Sequence, residues 1–214
     1  MPEASYDPIR RAYHGWKKTL VGLIERFCLR RAKVLVATCE AEKEWIKAYL
    51  GERCPPVEVI DIKRFFDLNH ERHETHEKGR PLHLLYLGRR HPLKGLEYLE
   101  TAVRQIQDST RLACSTRPKI DLRIVSNAFG EEKEKVWEWC DVLVLPTLSD
   151  NFGLVIAEAL ERGKRGITTD GAPAWGDGND YGGRLIYLKG FRDGTSEIRV
   201  SLLKNAIEEL VVRR

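Results

Sequence analysis

Four side chains carry most of the chemistry this sequence offers: Arg89 and Lys94, then Asp150 and Glu158. The two cations lie in Gly88-Arg89-Arg90-His91-Pro92-Leu93-Lys94-Gly95, directly after the apolar run of residues 82–87. Gly88 lets the backbone turn, and two cations beside the N–H groups of a helix start suit a doubly charged phosphate group. A solvated basic loop is the competing reading. Asp150 lies in Thr147-Leu148-Ser149-Asp150-Asn151-Phe152-Gly153, and Glu158 stands further on among Val155, Ile156, Ala157, Ala159 and Leu160. Ser149 or Asp150 reads as the N-cap of that helix. Glu158 is an acid in a strongly apolar helix and needs a partner or a ligand. Two carboxylates so placed could hold the vicinal hydroxyls of a sugar or a ribose.

Two further patterns carry less. Residues 169–180 are dense in Gly, Pro and Asp and read as an irregular loop. Gly176 and Gly178 of this loop, with Gly182 just beyond it, precede a strand and not a helix, so the pattern carries little weight as a phosphate cradle. Asp177 and Asp180 are not spaced as an Asp-x-Asp metal pair, and there is no Walker P-loop. His70, His73 and His76 suggest zinc, but His70-Glu71-Arg72-His73 is one residue short of HExxH and sits in a polar stretch. No metal is expected.

The elements that would position these residues follow from periodicity. Ile9, Ala12, Tyr13, Trp16, Leu20, Leu23, Ile24 and Phe27 recur at helical spacing and predict an amphipathic helix over 9–31. Residues 33–38 predict a strand, 40–50 a helix and 57–62 a strand. Residues 67–81 have almost no apolar content and read as a linker or exposed loop. Beyond it, strands are predicted at 82–87, 120–125, 141–145, 166–169 and 184–188, and helices at 95–107, 131–139, 152–162 and 196–212. The strands are continuous apolar runs, so both faces of the sheet are expected to be covered. Such alternation implies an α/β fold with a Rossmann-like, doubly wound parallel sheet, in which ligands sit beyond the carboxyl ends of the strands.

Composition bounds the rest. The chain has 214 residues with 36 basic and 32 acidic side chains, a net charge of +4, too mild by itself to argue for nucleic acid. A membrane span needs roughly 18 consecutive apolar residues, far more than any run here, and the first twenty residues do not read as a secretory signal. Five cysteines, odd in number and without CxxC spacing, read as reduced thiols and give a cytoplasmic expectation. The basic residues interleaved in 9–31 also suit an interfacial helix at the inner face of the cell membrane. Packing of its apolar face against a sheet is the favoured alternative.

The Gly88-Arg89…Lys94-Gly95 loop resembles the Gly-Arg…Lys-Gly loop of retaining GT-B glycosyltransferases of family 4. Residues 142–158 (VLVLPTLSDNFGLVIAE) with Ala159-Leu160 are similar to that family's Glu-x7-Glu segment. The resemblance extends over roughly residues 17–214. It implies a nucleotide-sugar donor site in one GT-B half, with a glycan or lipid-linked acceptor and no metal. On this resemblance Arg89 and Lys94 neutralise the donor diphosphate, Asp150 contacts sugar hydroxyls and Glu158 the ribose. Gly88 and the backbone of Asn151, Phe152, Gly153 and Leu154 meet the sugar and phosphate. Transfer would proceed with retention. Asp150 stands where the family usually has glutamate, and Arg165-Gly166 where it usually has Pro-Val. Two Rossmann-like domains need well over about 300 residues. The expected organisation is therefore a donor-binding C-terminal domain over 63–214, with 1–62 a remnant of the acceptor domain. A truncated donor-binding half is expected, with a non-catalytic nucleotide-sugar-binding module as the alternative.

Overall fold

The computed structural model describes residues 7–9, 17–68, 80–112 and 120–212. The chain divides into two compact units, Met1–Phe65 and Phe66–Arg214.

In the first unit, helix α1 (Lys17–Leu29) is followed by β1 (Leu35–Ala37), α2 (Glu40–Leu50) and β2 (Val57–Val59). The strands pair in parallel, Leu35 opposite Val57 and Ala37 opposite Val59. The start of α2 is fixed by Glu42, whose Oε2 accepts from the Thr38 N–H and hydroxyl, both at 2.7 Å. A carboxylate reaching back over the first turn satisfies an otherwise unpaired donor and opposes the helix dipole. Ile46, Tyr49 and Leu50 then bury one face of α2 with Ala37. The strand predicted over 57–62 stops at Val59, and Ile62–Phe65 form a 3-10 turn. Asp61 Oδ1 accepts from the Lys63 N–H at 3.0 Å, a local turn bond that competes with the ladder. Part of the helix predicted over 9–31 falls on residues 10–16, outside the described residues. Within α1, Leu23, Ile24 and Phe27 are exposed.

The second unit contains β3 (Leu82–Leu87), α3 (Leu96–Leu112), β4 (Ile120–Val125), α4 (Gly130–Trp139), β5 (Val142–Leu145), α5 (Leu154–Glu161), β6 (Arg165–Thr169), β7 (Leu185–Leu188) and α6 (Ser196–Val212). The strands form one sheet in the order β4-β3-β5-β6-β7, every pair parallel. This is the Rossmann-like, doubly wound α/β sheet expected from the alternation of elements. Numbered within this sheet the order runs 2-1-3-4-5, so it reverses between β3 and β5. At that switch the connections leave toward opposite faces and open a crevice at the carboxyl ends.

The pleat sends alternate residues to opposite faces. Leu82, Leu84 and Tyr86 of β3, Val142 and Val144 of β5 and Ile167 of β6 share a core with Leu99, Val103 and Ile106 of α3 and with Leu203, Ile207 and Leu210 of α6. The three- and four-residue spacing on α3 and α6 is the stripe a helix needs to cover a sheet. Leu85 and Leu143 point the other way and are equally buried, as are Trp137 of α4 and Ile156 and Leu160 of α5. β4 departs from the expected continuous burial, since Asp121 and Arg123 are exposed. It is an edge strand, and charges along an edge discourage pairing with another chain.

Candidate functional site

Three loops meet at the carboxyl ends of β3, β5 and β6. The first, residues 88–95, is braced from below by Tyr86, whose hydroxyl donates to the Arg89 carbonyl at 2.8 Å. Burial pushes the Tyr86 phenol up to about 12, so it remains a donor. His91 caps the 3-10 turn Pro92–Lys94, its Nδ1 accepting from the Leu93 N–H at 3.2 Å. Gly95 follows at φ 62, and a Cβ there would stand 2.0 Å from the Pro146 carbonyl oxygen. Only glycine lets the first loop close onto the second.

The second loop, residues 146–153, is tied to the first through the Leu93 carbonyl. That oxygen accepts from the Leu148 N–H at 2.8 Å and the Thr147 hydroxyl at 3.0 Å. The third loop, 170–176, is tied to the second by the Thr169 hydroxyl, which donates to the Thr147 carbonyl, and by the Asp150 N–H, which donates to the Gly171 carbonyl at 2.8 Å. Trp175 donates its indole N–H to the Phe152 carbonyl, and the two rings pack with centroids 5.2 Å apart. The rim is therefore one connected structure, at the reversal in strand order.

On this frame Lys94 and Asp150 come together. Lys94 Nζ forms a charged hydrogen bond with Asp150 Oδ2, each side chain 18% exposed. The other carboxylate oxygen accepts from the Gly153 N–H at 3.2 Å. The N-cap of α5 is Gly153, with no side-chain cap bond, so neither Ser149 nor Asp150 is the N-cap that the sequence predicts; Asp150 closes the turn just before it. Arg89 is exposed at the start of the first loop. Gly88 lies over the Tyr86 ring and donates its N–H to the Val125 carbonyl at 2.9 Å, joining this loop to the end of β4. Asn151 is half-buried, Phe152 and Gly153 are buried, and Leu154 is exposed at the first position of α5.

Glu158 is one turn further along α5 and faces α4. Lys133 Nζ stands 2.7 Å from its Oε2, outside the directions of a hydrogen bond, so this buried oxygen has an ionic neighbour but no aligned donor. The partner that sequence reasoning required of Glu158 is thus Lys133, a contact between helices that no local pattern announces. Arg162 repeats the link one turn on, donating to Glu134 Oε1 at 2.9 Å. Tyr86, Thr147, Thr169 and Trp175 were also missed. Each acts through a backbone carbonyl, and only the turn chemistry around them was visible in the sequence.

The third loop closes on itself beyond Trp175. Asp177, Asn179 and Asp180 each accept from the N–H two residues on, at 3.1, 2.9 and 3.1 Å. Among the described residues no group of three or more His, Cys, Asp or Glu could hold a metal, and His70, His73 and His76 lie outside them. No helix of the described residues is long and apolar enough to cross a membrane. Among the described residues, a surface groove of about 610 Å³ lies between α3 and α6, and another of about 290 Å³ is lined by Arg90, His91 and Pro92 of the first loop with the start of α3.

No protein-family profile and no curated protein sequence matches this chain. Solved structures do. The sucrose-phosphate synthase of Thermosynechococcus elongatus superposes with a TM-score of 0.56 at 17% identity, over 92% of this chain and 55% of that one. The Anabaena protein HepE, solved with UDP and glucose, gives 0.56 at 16% identity, over 92% and 59%. The lipopolysaccharide outer core galactosyltransferase WaaB gives 0.51 at 18% identity, over 86% and 55%. This chain spans little more than half the length of each of these three. At such identities the likeness is one of fold, and the fold is that of a Rossmann-like GT-B half.

Proposed function

We propose that this chain binds a nucleoside-diphosphate sugar and is the donor-binding half of a retaining glycosyltransferase. The observation that supports this most is the Lys94–Asp150 pair, seated where the loops after β3 and β5 meet at the switch point of the sheet. Arg89 and Lys94 take the diphosphate, Glu158 the ribose and Asp150 the hydroxyls of the sugar. The N–H groups of Asn151, Phe152 and Leu154 are assigned to the phosphate end of the donor, that of Gly153 being held by Asp150. As the bond from the anomeric carbon to the diphosphate breaks, charge grows on the departing oxygens. Fixed cations and a helix terminus stabilise that charge most where it develops, without a metal. The acceptor, a glycan or lipid-linked sugar, would enter from the other Rossmann-like half of the full protein, and 1–62 would belong to that half.

Calorimetric titration of the purified chain with UDP-, GDP- and ADP-sugars tests this. Binding to one of the three is expected, and binding to none overturns the reading. Donor consumption measured alongside separates an enzyme from a binding module, since binding without turnover assigns the latter. Exposure of Leu23, Ile24 and Phe27 on α1 favours a second contact, at an anionic membrane surface on the cytoplasmic side. Failure to sediment with anionic liposomes would end that idea.

A further inference from the structure

The Lys94–Asp150 pair has a property beyond its place. The cation assigned to the diphosphate and the acid assigned to the sugar neutralise each other. Lys94 has one compact ammonium on a flexible stem, so it can change partner without moving the backbone. Asp150 cannot move far. Its N–H is held by Gly171 at 2.8 Å and its second oxygen by the Gly153 N–H at 3.2 Å. One partner is therefore mobile and the other anchored.

We infer that this pair exchanges partners on ligand binding. Asp150 occupies Lys94 in the empty site as a built-in competitor for the diphosphate. When a diphosphate takes the ammonium, the anchored carboxylate is released to accept hydroxyl hydrogen bonds from the sugar. Sugar recognition is then conditional on diphosphate binding, and by linkage the sugar strengthens the hold on the diphosphate in turn. This inference rests on the nucleotide-sugar reading above and adds an order to it. A site that bound sugar first would hold free monosaccharides, whereas this one presents them with a carboxylate already in use.

The test uses the full chain, UDP (or whichever nucleoside diphosphate binds) and the matching free hexose. In Asp150→Asn, Lys94 loses its internal competitor. UDP affinity is expected to rise by about two- to fivefold, the scale of a partly exposed ion pair, with a steeper dependence on salt. The same variant should lose the preference of the wild type for the sugar nucleotide over UDP. In the wild type, the free hexose should bind measurably only when UDP is present. Asp150→Asn in a Lys94→Ala background should raise UDP affinity by less than it does beside Lys94, and an equal rise in both backgrounds would assign the effect to charge alone and overturn the exchange. Thermal unfolding of each variant reports whether it folds, and Asp150→Ser serves as a second probe. Unchanged or weaker UDP binding in folded Asp150→Asn and Asp150→Ser overturns the exchange while leaving the nucleotide-sugar reading intact. No nucleoside-diphosphate binding by the wild type overturns both.

Discussion

The two ends of the five-stranded sheet each hold an ion pair, and the two are built differently. At the amino end, Arg80 forms a charged hydrogen bond with Asp141 Oδ1. Asp141 Oδ2 accepts from the His83 N–H at 3.0 Å, and Arg80 Nη1 lies 3.1 Å from His83 Nδ1. The His83 ring stacks on Trp139 at 4.3 Å, and the Arg123 guanidinium lies over Trp139 at 4.0 Å from its ring centroid. Asp141 is only 7% exposed in its side chain, and a planar guanidinium holds it. At the carboxyl end, Asp150 also has a backbone N–H on one oxygen, that of Gly153, but its cation is a single ammonium. A forked cation with a strand N–H beside it locks strands β3 and β5 together, whereas a point charge on a four-carbon stem can leave. The same charge pairing thus serves cohesion at one end and exchange at the other.

That contrast is open to direct attack. The largest effect is expected for Asp141→Ala, which takes the carboxylate from Arg80 and from the His83 N–H and should lower stability by about 3 kcal/mol, the low end of the scale for breaking a buried pair. Asp150→Ala should cost about 1 kcal/mol, since its loss removes a turn bond to the Gly153 N–H and a partly exposed pair. Urea titrations of both variants check this, and equal losses would erase the distinction between the two ends. Next comes Lys94→Ala, expected to weaken nucleoside-diphosphate binding by about 1–3 kcal/mol, with Arg89→Ala in the same range. Calorimetry reads both, and unchanged affinity in the pair of variants would remove the diphosphate from this rim.

Much of this arrangement was legible in the sequence, and the illegible part has a physical pattern. The strands at 82–87 and 120–125 and the helix at 196–212 run where the apolar runs and helical spacing put them, because burial on a sheet face imposes the period. The three rim loops were recognisable from Gly, Pro and Asp between periodic segments, and topology alone placed them at one end. Lys133 opposite Glu158 and Thr169 under Thr147 were not recognisable. They join residues 25 and 22 positions apart, through contacts that exist only once the sheet has formed. The early end of β2 had a local cause in Asp61, visible but outweighed by the apolar run beside it. Edge exposure on β4 needed the strand order, which apolar runs do not specify.

Each end also carries a group whose proton burial holds, Tyr86 at the carboxyl end and Cys140 at the amino end, and Cys140 acts at the lower pH because a free thiol titrates below a free phenol. Cys140, buried beside Asp141, has its thiol pushed up to about 12 by desolvation. A group that holds its proton more tightly when folded lends its full stability below the unfolded thiol value. It loses that stability as pH rises toward the folded one, because the unfolded chain releases the proton first. Stability should therefore fall above about pH 9, by about 1 kcal/mol for each pH unit, and Cys140→Ala should flatten that part of the curve. Urea midpoints between pH 8 and 10 check the slope, and an unaltered slope in Cys140→Ala would move its cause elsewhere.

The smallest effect separates the two acids of the rim. Glu158 already has Lys133 as an ionic neighbour, so its removal leaves a cation that solvent can reach, at 28% exposure. Stability should change by less than about 1 kcal/mol. Its Oε2 is buried beside Lys133, so the ribose contact proposed above would fall on the remainder of a side chain that is 25% exposed. Glu158→Ala should then weaken binding of a ribonucleotide by about 1 kcal/mol and leave pyrophosphate binding unchanged or slightly stronger, because Lys133 is freed. Parallel titrations with UDP and pyrophosphate decide between the roles. Equal losses for both ligands would mean that Glu158 acts only through Lys133 and the α4–α5 contact. The rim would then have Asp150 as its one acid that meets the ligand.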